Sequence, residues 1–444
     1  MPFFLCYNRY EVSMKITCTG LHHVSESITD PKSRVKYMLP GEVASLNMPK
    51  KYVEESDLEV KSPDRQKVIC PIFYDCGGCD LLHVFYDAQL RLKQEHIQHL
   101  YKDLNYRKAI PIIKNDEPLY YRHKVVLSAT THKLKLRLGL YREKTKEVIP
   151  FLNCFLHDKL INQVLSTLET ILNQYKIPAY DIDSGKGILK HILIRKSYHE
   201  NKLMVVLVTQ GNLLPNAKKM VQDVLKKHPE IETVVQNIHH KKTHLVLLEE
   251  EKILYGKGFI FDQIHDYKFR LSARSFYQIN PLQMIKLYDK ALDLLNIQPN
   301  EIIMDTYSGI GTISILAAKK AKEVIAIETN QKSHLDAMQN KKDNAITNIT
   351  FVNDDVERYM MQYRGKIDGL IMDPTRDGAS ENFLKAVLQL KPKKIVYISC
   401  EPLTQTRDLK ILSKSYVIKD VVGCDMFSQT VHVESIVLLS LKTA

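Results

Sequence analysis

The segment EIIMDTYSGIGT, residues 301–312, is a short apolar stretch that ends in Asp305 and runs into a turn with two glycines. Gly309 and Gly311 stand where the chain must turn tightly before a helical stretch, ISILAAKKA, begins. The order strand, glycine turn, helix is typical of a doubly wound α/β sheet. Ligands of such sheets bind at the carboxyl ends of the strands, so residues at strand ends are the first candidates for a site.

The same alternation continues to the C-terminus and predicts the rest of this sheet. Short apolar strands alternate with helical stretches through VIAIE, ITFVN, DGLIMD, KIVYIS and VESIVLLSL. Residues 120–269 instead carry short β-rich runs with two helical patterns between them, which indicates an α+β region. Residues 14–58 are broken by Gly and Pro into short alternating segments, which is typical of a small β domain.

We therefore predict three domains. They are a small β domain over residues 1–62, a central α+β domain over residues 63–265 and a doubly wound α/β domain over residues 266–444. A helix at about residues 85–105 belongs to the central domain by sequence, and we expect it to pack on the last domain.

Composition and charge limit the partners. The 444 residues carry 63 Lys and Arg against 51 Asp and Glu, and the net charge of +12 suits a polyanion such as RNA. We find neither a secretory signal nor about 18 consecutive apolar residues, so we expect a cytoplasmic protein, without a membrane span and by default a monomer. In that reducing compartment, cysteines favour metal binding or catalysis over disulfides.

An acidic residue follows the glycine turn at the end of the next strand. Glu328 lies 23 residues after Asp305 (328 − 305 = 23), where a carboxylate can accept hydrogen bonds from both hydroxyls of a ribose. The dinucleotide fingerprint G-x-G-x-x-G is incomplete, because Ser314 occupies its third glycine position. Asp305 disfavours a pyrophosphate and suits the cationic amino group of a methionine. We therefore prefer S-adenosylmethionine to a nicotinamide cofactor, which remains an alternative.

Two later strand ends carry reactive side chains, and a third reactive residue lies at the start of the last strand. Asp373 lies in IMDPTRDG, Cys400 in YISCEP and Glu434 in HVES. Carbon 5 of uracil is a weak nucleophile, so its methylation requires a thiolate that adds to carbon 6 and a base that removes the carbon-5 proton. Cys400 is the candidate nucleophile and Glu434 the candidate base. A lone cysteine here is more often a small core residue, and the ordered set of motifs favours the functional interpretation.

That ordered set resembles the bacterial RNA (uracil-5-)-methyltransferases, and more closely their iron-sulfur branch, which acts on 23S ribosomal RNA. The resemblance rests on DP-x-R-x-G, SC-x-P and M-F-x-x-T-x-H-x-E-S and covers about residues 60–440. It implies a class I S-adenosylmethionine-dependent methyltransferase domain, with Cys400 attacking the base and Glu434 taking the proton. It also implies four cofactor-binding residues: Gln278 in SFYQIN, Tyr307, Glu328 and Asp373.

Two residues depart from the family pattern. Thr375 stands where the family commonly has a second proline, and Glu401 follows the nucleophile where the family commonly has asparagine. A carboxylate beside Cys400 is expected to raise the pKa of the thiol and to slow its attack.

A cysteine cluster predicts a metal site. Cys70, Cys76 and Cys79 have the spacing C-x5-C-x2-C, and Cys154 is the candidate fourth ligand. Spacing leaves zinc and a [4Fe-4S] cluster open, and the resemblance implies the iron-sulfur cluster. The remaining cysteines, Cys6, Cys18 and Cys424, have no partner pattern and are interpreted as ordinary thiols.

Several basic stretches are candidate RNA contacts. They are YRHK at residues 121–124, KLKLRLGLYREKTK at residues 133–146 and LKHILIRK at residues 189–196. LPGEV at residues 39–43 resembles a turn of the TRAM domain, a small RNA-binding β-barrel. The alternatives to a 23S rRNA methyltransferase are a tRNA uridine-5 methyltransferase, a catalytically silent RNA-binding protein and a nicotinamide-dependent oxidoreductase.

Overall fold

A computed structural model of the chain describes residues 13–22, 26–30, 34–47, 50–241, 243 and 245–442. The chain forms two compact units. The first contains the residues up to His96 together with Gln429–Val431, and the second contains Ile97–Ser428 and the residues from His432 onward. No helix in the described ranges is long and apolar enough to cross a membrane. The domain boundaries at residues 62 and 265 stay predictions.

The first unit begins with a five-stranded antiparallel sheet. In chain order its strands are β1 (Ser13–His22), β2 (Glu26–Asp30), β3 (Arg34–Lys36), β4 (Val43–Asn47) and β5 (Leu58–Val60). They are arranged β3-β2-β1-β4-β5, and a short 3₁₀ helix, Glu55–Asp57, precedes β5. Ile16, Ala44 and Leu46 alternate with more exposed residues and form its small core. The expected β-rich N-terminal region is therefore present, and its TRAM identity stays a prediction.

The LPGEV turn between β3 and β4 is held by a buried ion pair. The Glu42 carboxylate is fully buried, and Arg65 donates to both of its oxygens, from Nε at 2.5 Å and from Nη2 at 2.7 Å. The backbone N–H of Leu39 also donates to Glu42 at 2.8 Å. Cys18 is buried in the core of this sheet, whereas Cys6 lies outside the described residues.

From the first long helix onward, helices and strands follow in mixed order. They are α1 (Tyr86–Lys102), β6 (Ile112–Ile113), β7 (Lys124–His132), β8 (Lys135–Tyr141), β9 (Val148–Pro150), α2 (Lys159–Gln174), β10 (Leu189–Lys196), β11 (Leu203–Thr209), α3 (Ala217–Lys227), β12 (Ile231–Ile238), β13 (Glu251–Tyr255), β14 (Phe259–Ile264), β15 (Tyr267–Ser272), α4 (Pro281–Leu295), β16 (Ile302–Thr306), α5 (Thr312–Ala318), β17 (Glu323–Ile327), α6 (Gln331–Asp343), β18 (Ile349–Val352), α7 (Val356–Gln362), β19 (Gly369–Met372), α8 (Glu381–Leu390), β20 (Lys394–Ser399), α9 (Pro402–Leu412), β21 (Tyr416–Cys424) and β22 (Glu434–Leu441).

The middle of the chain forms a seven-stranded mixed sheet in the order β13-β12-β11-β10-β7-β8-β9. Its strand β11 is buried along its whole length. Val205 and Leu207 pack on the side of α2 and α3, while Met204 and Val206 pack with the core that contains α4 and α5. Both faces of this sheet are therefore covered by apolar residues.

The last third forms the predicted doubly wound sheet, in the order β18-β17-β16-β19-β20-β22-β21-β6. The five strands from β18 to β20 are parallel, and β22 runs antiparallel to both β20 and β21. Helices α4 and α5 cover one face, and α7, α8 and α9 cover the other. Ile97 and Tyr101 of α1 also pack in the second of these cores. This architecture confirms the predicted fold class.

Candidate active site

The turn after β16 has an unusual backbone. The φ angles of Tyr307, Gly309 and Gly311 are 64°, 57° and 81°. These values lie in the left-handed region of the backbone, which residues with a Cβ rarely adopt. A Cβ on Gly311 would lie 2.6 Å from Cζ of Phe351, so packing requires glycine there. A Cβ on Gly309 would meet no described atom within 4 Å, which leaves the backbone open to a ligand.

Asp305, near the end of β16, is buried beside the first turn of α5. Its side chain is 1% exposed and accepts a hydrogen bond from Ser314 Oγ in the first turn of α5. Ser314 at the third glycine position is thus part of a strand-to-helix contact. The expected place of Asp305 beside the cationic amino group of a methionine stays a prediction. Burial, with smaller contributions from Asp373 and Glu328, raises the pKa of Asp305 to about 7.

Glu328 follows β17 and closes the other side of the turn. The backbone N–H of Gly309 donates to its Oε2 at 2.8 Å, and that of Asn330 donates to its Oε1 at 2.6 Å. A carboxylate oxygen accepts more than one hydrogen bond, so both oxygens keep capacity for ribose hydroxyls. The structure therefore brings Glu328 to the glycine turn, and its ligand role stays a prediction.

Cys400 and Glu434 meet at the ends of two antiparallel strands. The last residue pair of β20 and β22 is Ser399 with Ser435, and one further step in this register sets Cys400 opposite Glu434. Cys400 is half-buried, while Glu434 is 3% exposed. Because β22 is antiparallel to β20, its first residue lies at the same edge of the sheet where β20 ends.

Carboxyl groups dominate the electrostatics of this edge. Burial raises the pKa of the Cys400 thiol to about 12, and the charges of Glu434 and Asp373 contribute in the same direction, against Arg376. Burial and the neighbouring Asp373 raise the pKa of Glu434 well above its ordinary value. Burial also raises the pKa of Asp373 to about 7, although part of its surface remains accessible to solvent.

The expectation for Glu401 needs correction. The Glu401 carboxylate pairs with Arg376 at 3.2 Å, and the same Arg376 nitrogen lies 3.3 Å from Nδ1 of His432. The charges that raise the pKa of Cys400 belong to Glu434 and Asp373. Glu401 directly follows the cysteine in the sequence, but its charge is compensated by an arginine 25 residues earlier.

Gln278 is connected to the site by a hydrogen bond with Tyr288 of α4. The buried Tyr288 hydroxyl hydrogen-bonds to Gln278, and its pKa is raised above the ordinary range by burial and by the charges of Asp373, Asp305 and Glu434. Tyr288 could not be recognised from the sequence, because within the apolar pattern of α4 it has the spacing of a core residue. Tyr307 lies on the other side of the turn, its ring 5.5 Å from that of Phe383.

The predicted metal ligands lie in different units. Cys70, Cys76 and Cys79 belong to the first unit and Cys154 to the second. A Cβ on Gly78 would lie 3.3 Å from Sγ of Cys76, so the chain passes close to that sulfur. The described residues contain no group of three or more His, Cys, Asp or Glu side chains arranged to hold a metal ion, and the metal site stays a prediction.

Sequence comparison finds relatives that match most of this chain. A sequence profile of the tRNA (uracil-5-)-methyltransferase family matches residues 85–442. An uncharacterized RNA methyltransferase of Halalkalibacterium halodurans is 37% identical over 388 residues, which cover 86% of this chain and 85% of the relative. Another, of Oceanobacillus iheyensis, is 34% identical over 94% of this chain and 91% of the relative.

A solved structure shares the fold over nearly the whole chain. Pyrococcus abyssi tRNA (uracil-54, C5)-methyltransferase, solved in complex with S-adenosyl-L-homocysteine, superposes with a TM-score of 0.80 at 24% identity, over 96% of this chain and 99% of that chain. The profile match and the bacterial relatives go beyond the fold, because they cover most of this chain at substantial identity. This chain therefore belongs to the tRNA (uracil-5-)-methyltransferase family of RNA-modifying enzymes.

Proposed function

We propose that the protein methylates carbon 5 of a uridine in 23S ribosomal RNA, with Cys400 as the nucleophile and Glu434 as the base. One observation carries the proposal: the register of β20 and β22 brings a half-buried thiol and a buried carboxyl together at the ligand-binding edge of a doubly wound sheet. Addition to a pyrimidine ring and elimination from it require this pair of groups.

The chemistry divides between the two side chains. The Cys400 thiolate forms a bond to carbon 6, and the electrons of the carbon 5–carbon 6 double bond move onto carbon 5 and the carbonyl oxygen of carbon 4. When bound, S-adenosylmethionine would supply the electrophilic methyl group that carbon 5 takes up, and its sulfonium would become the neutral thioether of S-adenosylhomocysteine as the methyl–sulfur bond breaks. Glu434 then accepts the carbon-5 proton, the double bond re-forms and the sulfur leaves as a thiolate.

The glycine turn is the proposed cofactor site, with Gln278, Tyr307, Glu328 and Asp373 as its ligands. The open space at Gly309 and the two-oxygen carboxylate of Glu328 fit a nucleoside. Burial disfavours the charged forms of Asp373 and Glu434, and the charge of Asp373 adds to this effect at Glu434, so a cationic sulfonium beside them would be favoured electrostatically. These residues therefore fit the expected group.

Two kinds of RNA, 23S rRNA and tRNA, are candidate substrates. The sequence resemblance, including the cysteine cluster, favours 23S rRNA, whereas the family description and the Pyrococcus abyssi protein favour tRNA as the alternative. We take the enzyme to be a cytoplasmic monomer. The test is incubation with S-adenosylmethionine and either transcript, followed by mass spectrometry of nucleosides. We expect 5-methyluridine in the 23S transcript, and its formation only in tRNA would overturn the assignment of the target.

We also propose that Cys70, Cys76, Cys79 and Cys154 hold a [4Fe-4S] cluster, with zinc as the alternative. The support is the cysteine spacing, the close passage of Gly78 at Cys76 and a hydrogen bond from the Leu156 N–H to Cys154 Sγ at 3.4 Å. Protein purified without oxygen should contain about four iron atoms per chain and acid-labile sulfide, and C154S should lose both. One zinc ion per chain without sulfide would contradict the iron-sulfur assignment.

A further inference from the structure

A cleft separate from the Cys400 site opens beside the first turn of α2. It measures about 560 Å³, and its lining residues include Tyr120, Asn153, Phe155, Lys159 and Gln163. Its lining combines two aromatic rings, a primary ammonium and three side-chain amides, the third being that of Asn162. No residue of the predicted catalytic or cofactor set lines it.

The two rings are held as a pair by the backbone. Tyr120 has a left-handed φ of 59°, and its N–H donates to the carbonyl oxygen of Phe155 at 2.7 Å. The ring centroids are 6.1 Å apart with 47° between the planes, so the rings form an open angle. Both side chains are half-buried, which leaves part of each ring available to a flat ligand.

The charge of the cleft is positive. The exposed Lys159 ammonium lies 4.9 Å from the centre of the Tyr120 ring. The adjacent carboxylate, Asp158, accepts from the Leu160 N–H at 2.8 Å and pairs with Lys196 at 2.7 Å, so its charge is compensated. An anion at the cleft would therefore meet a net positive field.

A hydrogen bond holds the buried base of the cleft in place, and the exposed edge of the cleft, its rim, is polar. Asn162 is 9% exposed, and its Nδ2 donates to the carbonyl oxygen of Cys154 at 2.9 Å, which ties α2 to the 153–157 loop. Asn153 and Gln163 are exposed at the rim, where amides can donate to and accept from the edge of a base. This placement combines a stacking surface, polar groups for a base edge and a cation for a phosphate.

We propose that this cleft binds a second, unpaired nucleotide of the RNA substrate, with the base on Tyr120 and Phe155 and its phosphate near Lys159. The inference rests on the proposed function, because it takes RNA as the ligand. Stacking on two rings tolerates any base, so the cleft would contribute affinity and register, while the Cys400 site selects the uridine.

The test combines cross-linking with binding. The full chain is irradiated at 254 nm with a 23S rRNA transcript, and nucleotide adducts are mapped by mass spectrometry. We expect adducts on the peptide that contains Tyr120 or Phe155. Y120A should weaken the transcript Kd and raise KM about tenfold with kcat unchanged, and Y120F should remain within about twofold. K159E, a change of an exposed side chain, should weaken binding about fivefold.

Matched controls lie on the same unit. Y255A removes an exposed tyrosine of β13 and K219E reverses an exposed lysine of α3, and neither should change the Kd. If Y120A no longer melts cooperatively, the variant is not folded, and the Kd of K159E then decides the test. Wild-type Kd values for both cleft variants, or adducts confined to other peptides, would overturn the inference. A wild-type protein that binds the transcript through these residues but methylates no RNA would instead overturn the proposed function alone.

Discussion

Glu434 lies opposite Cys400, one step beyond the last paired residues of β20 and β22, and its charge raises the pKa of the thiol. At neutral pH, the edge of the sheet therefore holds a protonated thiol beside buried carboxyls. An uncharged resting state protects the sulfur from oxidation and alkylation, because the thiolate is the reactive form. It also means that removal of one neighbouring charge should be measurable on the sulfur itself.

Replacement of Glu434 by Gln should make Cys400 more reactive towards iodoacetamide. The ionised form of Glu434 raises the pKa of the thiol and glutamine cannot ionise, so at pH values at which Glu434 is ionised the thiolate fraction should rise roughly tenfold for each unit by which the pKa of the thiol falls. The rate is read from the Cys400 peptide by mass spectrometry. The wild-type rate should climb steadily between pH 7 and pH 10. An unchanged or slower rate in E434Q would show that Glu434 does not act on the thiol.

Arg376 and Glu401 should affect the same rate very differently. Arg376 opposes the rise of the pKa of Cys400, so R376Q should slow alkylation. Glu401 is paired with Arg376 rather than directed at the sulfur, and we expect E401Q to stay within about threefold of wild type. A large acceleration in E401Q would restore the original expectation that this neighbour controls the thiol.

Asp373→Asn should stabilise the fold while it impairs activity. A folded-state pKa of about 7 lies above the ordinary aspartate value, so the stability that Asp373 contributes is fully present below about pH 4 and is lost as the pH rises to about 7. At pH 8 the variant should gain about 2 kcal/mol, since partial contact with solvent reduces the roughly 4 kcal/mol that the shift implies.

Urea unfolding at pH 8 and at pH 5 measures this effect. The gain should be larger at pH 8, because the wild-type carboxyl is then ionised in its buried position. An equal gain at both pH values would point to a packing effect instead. Methylation by the variant should fall even where its stability rises, as expected for a strained functional group.

The first unit should depend on the buried pair of Glu42 and Arg65. R65M leaves the fully buried Glu42 carboxylate without its guanidinium, and we expect a loss of about 3 kcal/mol or more from the stability of this unit. Thermal unfolding followed by limited proteolysis reports it. The exposed pair Lys61–Glu55 is the matched control, and E55Q should leave the melting profile nearly unchanged. Equal effects of both substitutions would refute the argument from burial.

Part of this site could be predicted from the sequence, because a residue at the end of a strand directly follows the apolar run that forms the strand. Asp305, Glu328, Asp373 and Cys400 each follow an apolar run, and parallel strands bring such ends to one edge. The glycine turn could be predicted in the same way, since two glycines precede a helical stretch. The left-handed backbone at Tyr307 was not, because tyrosine rarely adopts it and no composition signal marks it.

Contacts between distant segments were beyond sequence reasoning. The pairing of Arg376 with Glu401 joins residues from two strand ends, so the proximity of Glu401 to Cys400 in the chain was misleading. Ser314 was interpreted as a missing glycine, whereas its hydroxyl bonds to Asp305. Tyr288 has the pattern of a core residue, and only packing reveals that it faces three carboxyls. The metal ligands and the domain boundaries stay predictions.

The proposed roles of Cys400 as the nucleophile and Glu434 as the base are tested most directly by trapping the enzyme on unmodified RNA. With S-adenosylmethionine and the substrate transcript, E434Q should accumulate a covalent protein–RNA complex that survives denaturation, because the carbon-5 proton stays in place and the sulfur cannot leave. C400A should form none, and wild type should release methylated RNA. A denaturation-resistant complex formed by C400A, or full turnover by E434Q, would contradict the account.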